Sequence, residues 1–276
     1  MNNTTKRRLR TALSCAGFFF VWALAVSLGN FLPDPAWLEQ IPALRRLWWE
    51  VLPLLAVGLA TVLFGWGLDK GRNRTKLSAN WGQDAALGLA LGAAWLAVPA
   101  LLLWLLGALR VTGASPVPGI WLWALAALAN VAMQEYLVRG YLYQSCKNAY
   151  GRGAALAVTT ALFTLMHGGA FAAGVVPVLN VLTMSVFATL LLEYTGGLLA
   201  PILAHFMWNA AGCLLLGSVS LADDYPHWLT CTFAGSELLS GGIYKLEGSI
   251  LTLAANLGLC VLTAVLMRRA AGRRRT

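Results

Sequence analysis

Apolar residues occur along this chain in eight long runs that short polar segments separate. A helix needs about 20 apolar residues to cross the hydrocarbon core of a bilayer. The runs cover Thr11–Phe31, Trp49–Leu68, Ala85–Leu109, Ile120–Tyr143, Ala154–Gly174, Val175–Glu193, Leu198–Gly217 and Ser249–Met267. The first run is too long for the apolar core of a signal peptide, so we expect it to be retained as a span. The pattern predicts an all-α membrane protein, a bundle of about eight transmembrane helices in a single integral membrane domain over residues 1–276.

Composition and charge agree with a membrane bundle and exclude several other classes of protein. The chain is 59% hydrophobic and only 11% charged, which excludes a disordered chain and a small secreted disulfide scaffold. The formal net charge of +9 would suggest a nucleic-acid partner in a soluble protein, but here the basic residues lie between the apolar runs. Fifteen of the twenty Lys and Arg fall on the side that holds both termini, and four fall on the other side. The positive-inside rule therefore predicts cytoplasmic termini, with the lipid bilayer and no nucleic acid as partner.

Three pairs of residues lie deep inside the predicted spans, and their spacing of four puts both members of each pair on one helix face. Ionisable groups in a bilayer are costly and by default mark a functional site. An internal ion pair or a hydrogen bond between helices would also explain any single pair. Glu50 lies at the outer start of a span, where we expect it to reach water, and Asp84 and Glu193 lie at span ends, where we expect them to reach the cytoplasmic interface. The three deep pairs are Glu135 with Arg139, Phe163 with His167, and His205 with Asn209.

The depth of these pairs indicates one shared site. At about 1.5 Å per residue, Glu135 lies about 14 Å and His167 about 20 Å from the cytoplasmic ends of their spans. On the same measure His205 lies about 11 Å and Asn209 about 17 Å deep. Three unrelated pairs would not need to share a layer, whereas one polar pocket would. A transporter would need a polar path and matching broken helices, so a single layer without an internal repeat argues against that class.

In this order and on successive helices, the three motifs resemble the signature of the CPBP family. That family comprises CAAX-type intramembrane proteases and bacteriocin-processing or immunity proteins, and it is also called the Abi family. The signature EExxxR, FxxxH and HxxxN corresponds here to Gln134-Glu135 with Arg139, Phe163 with His167, and His205 with Asn209. The resemblance covers about Ala129–Gly212, within a motif core that we expect over residues 119–217. It implies an eight-helix membrane core and a glutamic-type intramembrane endopeptidase that cleaves a membrane-anchored protein or peptide near the cytoplasmic side.

The resemblance also implies a role for each matched residue. His167 would activate a water molecule together with position 134, while His205 and Asn209 would hold the developing oxyanion. Glu135 and Arg139 would shape the site. The implied catalytic set is Gln134, Glu135, Arg139, His167, His205 and Asn209, and Phe163 and Tyr136 would line the substrate pocket.

One position departs from the family signature. The family's first glutamate serves as general base, and this chain has Gln134 there. A glutamine side chain orients water by hydrogen bonds and does not take its proton. Three explanations are open: Glu135 acts as the base, or the chain is a catalytically inactive relative that acts as a peptide-binding, immunity or scaffold protein, or Gln134 is an engineered substitution. The first of these is the favoured prediction.

No cofactor is predicted, with zinc as the alternative. Glu135, His167 and His205 would supply one carboxylate and two imidazoles, a ligand set that suits a catalytic zinc ion. The HExxH spacing that is usual for such sites is absent, and His205 would be diverted from the oxyanion. The Ala- and Leu-rich spans and the Arg-rich tails are typical of the bacterial cytoplasmic (inner) membrane, which is the predicted location.

Overall fold

Each apolar run lies largely in helix in the structure, a computed structural model that describes residues 2–73, 75–219 and 223–273. Arg74, Arg274 and Arg275, which contribute to the predicted charge asymmetry, lie outside the described residues. The helices are α1 (Asn3–Gly29), α2 (Pro42–Thr61), α3 (Trp81–Leu105), α4 (Ile120–Glu135), α5 (Tyr143–Tyr150), α6 (Arg152–Met166), α7 (Gly168–Ala173), α8 (Val175–Thr195), α9 (Leu199–Ala210), α10 (Glu237–Ser240), α11 (Lys245–Gly248) and α12 (Ile250–Arg273). Shorter 3-10 turns cover Ala36–Gln40 and Gly242–Tyr244, and π-helical segments cover Val62–Leu68, Tyr136–Leu142 and Ala211–Leu215.

Five helical segments in the described part of the chain are long and apolar enough to cross a membrane. They are Asn3–Gly29, Pro42–Leu68, Trp81–Leu105, Val175–Thr195 and Ile250–Gly272. Arg152–Met166 and Leu199–Leu215 are also apolar but shorter. A helical fold with several helices long and apolar enough to span a membrane is therefore confirmed, while the number of eight spans and their orientation stay predictions.

The chain divides into two compact units. The first unit comprises Met1–Lys76 and Gly119–Thr159, and the second comprises Leu77–Pro118 and Thr160–Thr276. The first motif belongs to the first unit, and the second and third motifs belong to the second unit. The single domain over residues 1–276 and the motif core over residues 119–217 stay predictions.

In the first unit, α2 packs against α1 and α4, and aromatic rings tie α1 to two π-helical segments. Phe18 of α1 is fully buried, and its ring stacks on Tyr141 with centroids 4.5 Å apart. The same ring meets the edge of Phe64 at 6.0 Å. The Tyr141 hydroxyl donates to the Asp69 carboxylate at 2.8 Å. These contacts hold the π-helical segments after α2 and α4 against the N-terminal helix.

In the second unit, α3 and α9 approach each other at backbone distance. A Cβ atom on Gly88 would lie 2.6 Å from the carbonyl oxygen of Ala200, and one on Gly92 would lie 2.6 Å from that of Ala204. Only glycine fits such a contact, which is typical of close helix packing in membranes. Because His205 follows Ala204, this packing fixes the helix that carries the third motif.

A small antiparallel sheet in the second unit is an element that the all-α prediction missed. It pairs β1 (Leu109–Ala114) with β2 (Leu229–Phe233). The third apolar run was predicted to remain helical as far as Leu109, and this end point is wrong. The helix ends at Leu105 because Gly107 adopts φ +71°, a left-handed conformation that stops a helix. β2 lies in the long polar segment after residue 217, of which residues 220–222 lie outside the described part.

Candidate active site

The first motif lies where α4 changes into a π-helical segment. Glu135 is the last residue of α4, and Arg139 lies within the π-helical segment Tyr136–Leu142. Both side chains are fully buried, and Arg139 Nη1 lies 2.8 Å from Glu135 Oε1. The predicted internal ion pair is therefore confirmed. A pair this deeply buried depends on its partner, because either charge alone would be desolvated without compensation.

Gln134 belongs to a different polar network, which runs through the first unit from α2. Arg46 and Glu50, four residues apart on α2, form an ion pair of 2.7 Å. The Asn130 amide donates to Glu50 Oε2 at 2.9 Å, and the Gln134 amide donates to Asn130 Oδ1 at 2.8 Å. Glu50 is only 5% exposed, so the expectation that it reaches water is wrong. It is buried because Arg46 and Asn130 satisfy its charge within the fold.

The direction of this hydrogen-bond chain follows from the carboxylate at its end. An ionised Glu50 only accepts hydrogen bonds, so Asn130 must present its Nδ2 atom to it. Asn130 then offers Oδ1 to Gln134, which must donate from Nε2. Gln134 Oε1 is consequently the acceptor that remains, and it is buried without a hydrogen-bond partner among the described residues. The network thus fixes which end of the Gln134 amide accepts.

Tyr136 contributes to two small cavities in the first unit. One, of about 160 Å³, lies against Thr75 and Gly140, and the other, of about 170 Å³, lies against Leu54 and Val57 of α2. The second is lined mainly by aliphatic and glycine residues, which suits an apolar side chain. The role of Tyr136 in a substrate pocket stays a prediction, supported by this position.

The second motif lies at a helix break, which corrects the expectation of a continuous span over Ala154–Gly174. Helix α6 ends at Met166, and His167 adopts φ −93° and ψ 56° before α7 begins at Gly168. His167 Nδ1 lies 2.7 Å from the carbonyl oxygen of Phe163. Gly168 and Gly169 follow directly and begin α7, so the interruption is confined to His167.

The carbonyl contact determines the tautomer of neutral His167. A carbonyl oxygen only accepts, so Nδ1 must carry the hydrogen. The lone pair of the ring is then at Nε2, which is the arrangement that a general base requires. The interruption between α6 and α7 thus fixes both the position and the protonation pattern of the imidazole.

The third motif lies on α9 and meets the second motif at the Phe163 ring. That ring is 4.4 Å from the His167 ring and 6.3 Å from the His205 ring, measured between centroids. His205 is 2% exposed and Asn209, one helical turn further, is 9% exposed. The structure therefore brings both predicted histidines to one buried aromatic side chain. Phe163 is itself 1% exposed, and its role in a substrate pocket stays a prediction.

Buried aromatic and amide side chains hold α9 in the second unit. Trp208, next to Asn209, stacks on Trp95 of α3 with centroids 4.7 Å apart. The Trp95 indole donates to Asn256 of α12, and the Asn256 amide donates to Thr183 of α8 at 2.9 Å. This network joins α3, α8 and α12 behind the third motif.

Sequence reasoning missed the supporting polar residues. Glu50, Asn130 and Asn256 were not among the predicted site residues, although Asn130 lies four residues before Gln134 and Glu50 lies four residues after Arg46. The same spacing rule that found the motifs was therefore available for these pairs.

A metal site would need several ligands close together. Within residues 2–73, 75–219 and 223–273, no three His, Cys, Asp or Glu side chains are gathered as a metal-binding group. The zinc set of Glu135, His167 and His205 stays a prediction that a chelator tests.

Comparison with known proteins bears on the family resemblance. A family model described as type II CAAX prenyl endopeptidase Rce1-like matches residues 116–211. The matched range is about a third of the chain and contains all three motifs. Neither the curated proteins nor the solved structures contain a match to this chain. The resemblance to the CPBP family of CAAX-type proteases is thereby confirmed, and residues 116–211 are similar to the type II CAAX prenyl endopeptidases of the Rce1-like family.

Proposed function

We propose that this protein is an intramembrane endopeptidase that cleaves a membrane-anchored protein or peptide near the cytoplasmic side of the bilayer. The observation that carries the proposal is the arrangement at Phe163. Its carbonyl oxygen accepts a hydrogen bond from Nδ1–H of His167, and its ring lies against the rings of His167 and His205. This hydrogen bond leaves the lone pair of a neutral His167 at Nε2, the atom that would take the proton from water.

The proposed reaction begins with water. His167 Nε2 takes a proton, and the resulting hydroxide attacks the carbonyl carbon of the scissile peptide bond. The negative charge moves to the carbonyl oxygen, where N–H groups of His205 and Asn209 stabilise it. His167 then returns its proton to the departing amine as the C–N bond breaks.

The first motif has two separate parts in this proposal. Glu135 and Arg139 maintain the helix geometry through their buried pair. Gln134 supplies an acceptor, Oε1, where the family has a carboxylate, and it orients water without taking its proton. This assignment revises the favoured prediction that Glu135 is the base, because the carboxylate of Glu135 is engaged by Arg139.

The experiment is a cleavage assay with the full chain in liposomes and a library of membrane-anchored peptides. We expect His167→Ala to lower kcat by about 10²–10⁴-fold, the usual contribution of a general base. His227→Ala is the matched control, because His227 is the third of the three histidines and belongs to none of the motifs. Equal activity of His167→Ala and the unmodified chain would refute the role of His167, and loss of activity on adding a chelator would favour the zinc alternative.

The alternative function is that of an inactive family member that binds peptides as an immunity or scaffold protein. Gln134 is the observation that favours it. In the same assay this alternative predicts no cleavage by the unmodified chain and gain of cleavage in Gln134→Glu. Peptide binding by the unmodified chain, measured by co-purification of a crosslinkable peptide, would then be its function.

The proposal includes eight spans with both termini in the cytoplasm of a bacterial cell, supported by the charge asymmetry and by the helices that occupy every predicted run. Reporter fusions at each polar segment test this topology. A periplasmic signal from a fusion at residue 276 would overturn it.

A further inference from the structure

The cationic end of α1 frames a cavity that the proposed protease function does not use. The cavity has a volume of about 470 Å³ and lies entirely within the first unit. Lys6, Arg7 and Arg10 of α1 line it together with Arg72, and Asp69 is the one acidic residue among the lining residues that the structure describes. These five charged side chains together carry a net formal charge of +3.

The single carboxylate in the lining is already engaged. Asp69 is 8% exposed, and its Oδ2 atom accepts hydrogen bonds from the Tyr141 hydroxyl and the Asn73 amide. The Asp69 carboxylate is thus buried, whereas the Lys6 and Arg7 side chains are exposed. The cavity consequently presents a positive potential to an approaching ligand.

Two of the arginines are held in place by the backbone. Arg10 donates from one terminal nitrogen to the carbonyl of Leu68 at 3.1 Å, and Arg72 donates from Nε to the carbonyl of Asp69 at 3.1 Å. A guanidinium has five N–H donors in a planar fork that matches phosphate geometry. Each of these contacts uses one donor, so both groups are positioned in advance for an anion.

An apolar groove adjoins the cationic cavity. Both spaces are lined by Lys6, Arg10 and Ser14, which lie on one stripe of α1 because they are four residues apart. The remaining lining of the groove is apolar and consists of Leu9, Leu13, Phe64 and Leu68. Leu9 and Leu13 are 50% and 65% exposed, so the groove opens outwards, where the bilayer would lie.

We propose that the cavity and the groove together form a binding site for an anionic phospholipid. The phosphate head group would occupy the cavity among Arg7, Arg10 and Arg72, and an acyl chain would lie along Leu9 and Leu13. The site sits where the apolar segments of α1 and of residues 42–68 end, which is the depth of the head-group layer. Free phosphate would fit the cavity but would leave the groove uncovered, so the combination favours a lipid.

Native mass spectrometry of the full chain tests this site, because it counts lipids that remain bound after release from detergent. The probes are dioleoylphosphatidylglycerol, dioleoylphosphatidylcholine and inorganic phosphate. We expect the first phosphatidylglycerol to bind about tenfold or more tightly than phosphatidylcholine, since a cation near the head groups strengthens binding by about fivefold. Equal binding of the two lipids would overturn the proposal. Phosphate that displaces phosphatidylglycerol at equal concentration would also overturn it, in favour of a free-phosphate site.

Charge variants test the assignment of residues. The double variant Arg7→Gln/Arg10→Gln should weaken the first phosphatidylglycerol step by about 25-fold, or about fivefold per charge. Arg269→Gln near the C-terminal end of α12 removes the same kind of charge outside the cavity and should leave that step unchanged. If the double variant does not fold, Arg72→Gln alone should weaken it by about fivefold. If Arg269→Gln weakened phosphatidylglycerol binding equally, the effect would come from the overall charge of the protein, and the proposed site would be refuted.

Discussion

The first motif is held in a different way from the second and third motifs. In the first unit, the first motif depends on charged side chains: Glu135 pairs with Arg139, and Glu50 sets the orientation of Gln134 through Asn130. In the second unit, the second and third motifs depend on a helix break, an aromatic ring and close backbone packing. Buried charged side chains position the first motif, whereas backbone conformation and packing position the second and third motifs.

This difference indicates which changes each region tolerates. A buried ion pair fails as a whole when one partner is removed, because the other charge is left desolvated. A residue held by packing can lose its polar group while the surrounding helices keep their positions. We therefore expect substitutions in the first motif to affect stability first, and substitutions in the third motif to affect catalysis first.

The largest expected effect is the loss of Arg139. Arg139→Met leaves a buried carboxylate on Glu135 and should lower the free energy of unfolding by about 3–5 kcal/mol. The double variant Glu135→Met/Arg139→Met removes both charges and should recover most of that loss. Unfolding of the full chain by SDS titration measures both. A double variant as unstable as the single one would contradict the view that the pair acts as a unit.

Asn209 gives the next largest effect, and this time on catalysis. Asn209→Ala should lower kcat by about 10²–10³-fold with little change in stability, because it removes one oxyanion donor. Asn256→Ala is the matched control in the same unit, since Asn256 serves the network behind α9. The control should lower stability by about 1–3 kcal/mol and leave kcat nearly unchanged. If Asn209→Ala lowered stability but not kcat, and Asn256→Ala lowered kcat, Asn209 would not be an oxyanion donor.

A smaller effect is expected at Glu50, which acts on catalysis only through Gln134. Glu50→Gln introduces an amide that both donates and accepts, so the orientation of Asn130 and Gln134 is no longer fixed. We expect kcat to fall by about tenfold, the equivalent of one hydrogen bond of about 1.4 kcal/mol, with KM unchanged.

The structure offers controls for this positioning role. Glu50→Asp keeps an acceptor-only group and should restore part of the rate. Glu39→Gln removes an equal charge at an exposed position and should have no effect. A fall in stability without a fall in kcat for Glu50→Gln would reduce Glu50 to a structural residue.

The smallest effect concerns the orientation of the chain in the membrane, which stays a prediction. Cys231 lies in β2, between the seventh and eighth predicted spans, and this segment faces outwards if both termini are cytoplasmic. Burial raises the pKa of the Cys231 thiol, while Lys245 opposes that rise. Little thiolate is present near neutral pH, so a membrane-impermeant maleimide should label Cys231 slowly in intact cells and faster as the pH increases. Lys245→Gln should slow the labelling further. If Cys231 were labelled only after cell lysis, it would face the cytoplasm and the predicted orientation would be wrong.

Much of the architecture was predictable from hydrophobic pattern alone. Every apolar run lies largely in helix, because apolar length and backbone hydrogen bonding leave few other structures in a bilayer. The pair Glu135 and Arg139 followed from spacing, since residues four apart share a helix face. The histidines of the second and third motifs were found in the same way.

Other features depend on backbone detail or on distant partners, which spacing does not reveal. The break at His167 and the turn at Gly107 depend on local backbone conformation inside or beside apolar runs. Asp84 was expected to reach the interface, but it is 6% exposed because its carboxylate accepts hydrogen bonds from Ser78, Ala79 and Asn80. Glu50 was misjudged for the same reason, because its partner Asn130 is far away in sequence.

The π-helical segments change how this chain must be aligned with its relatives. At their ends the backbone N–H of Asp69, Tyr143 and Leu216 binds the carbonyl five residues earlier instead of four. Each segment thus accommodates a residue that a regular α-helix would omit. A homologue with ordinary α-helices there is one residue shorter at that point without any change in the flanking turns. Single-residue gaps inside helices, which an alignment normally penalises, are structurally allowed at residues 62–68, 136–142 and 211–215 of this protein.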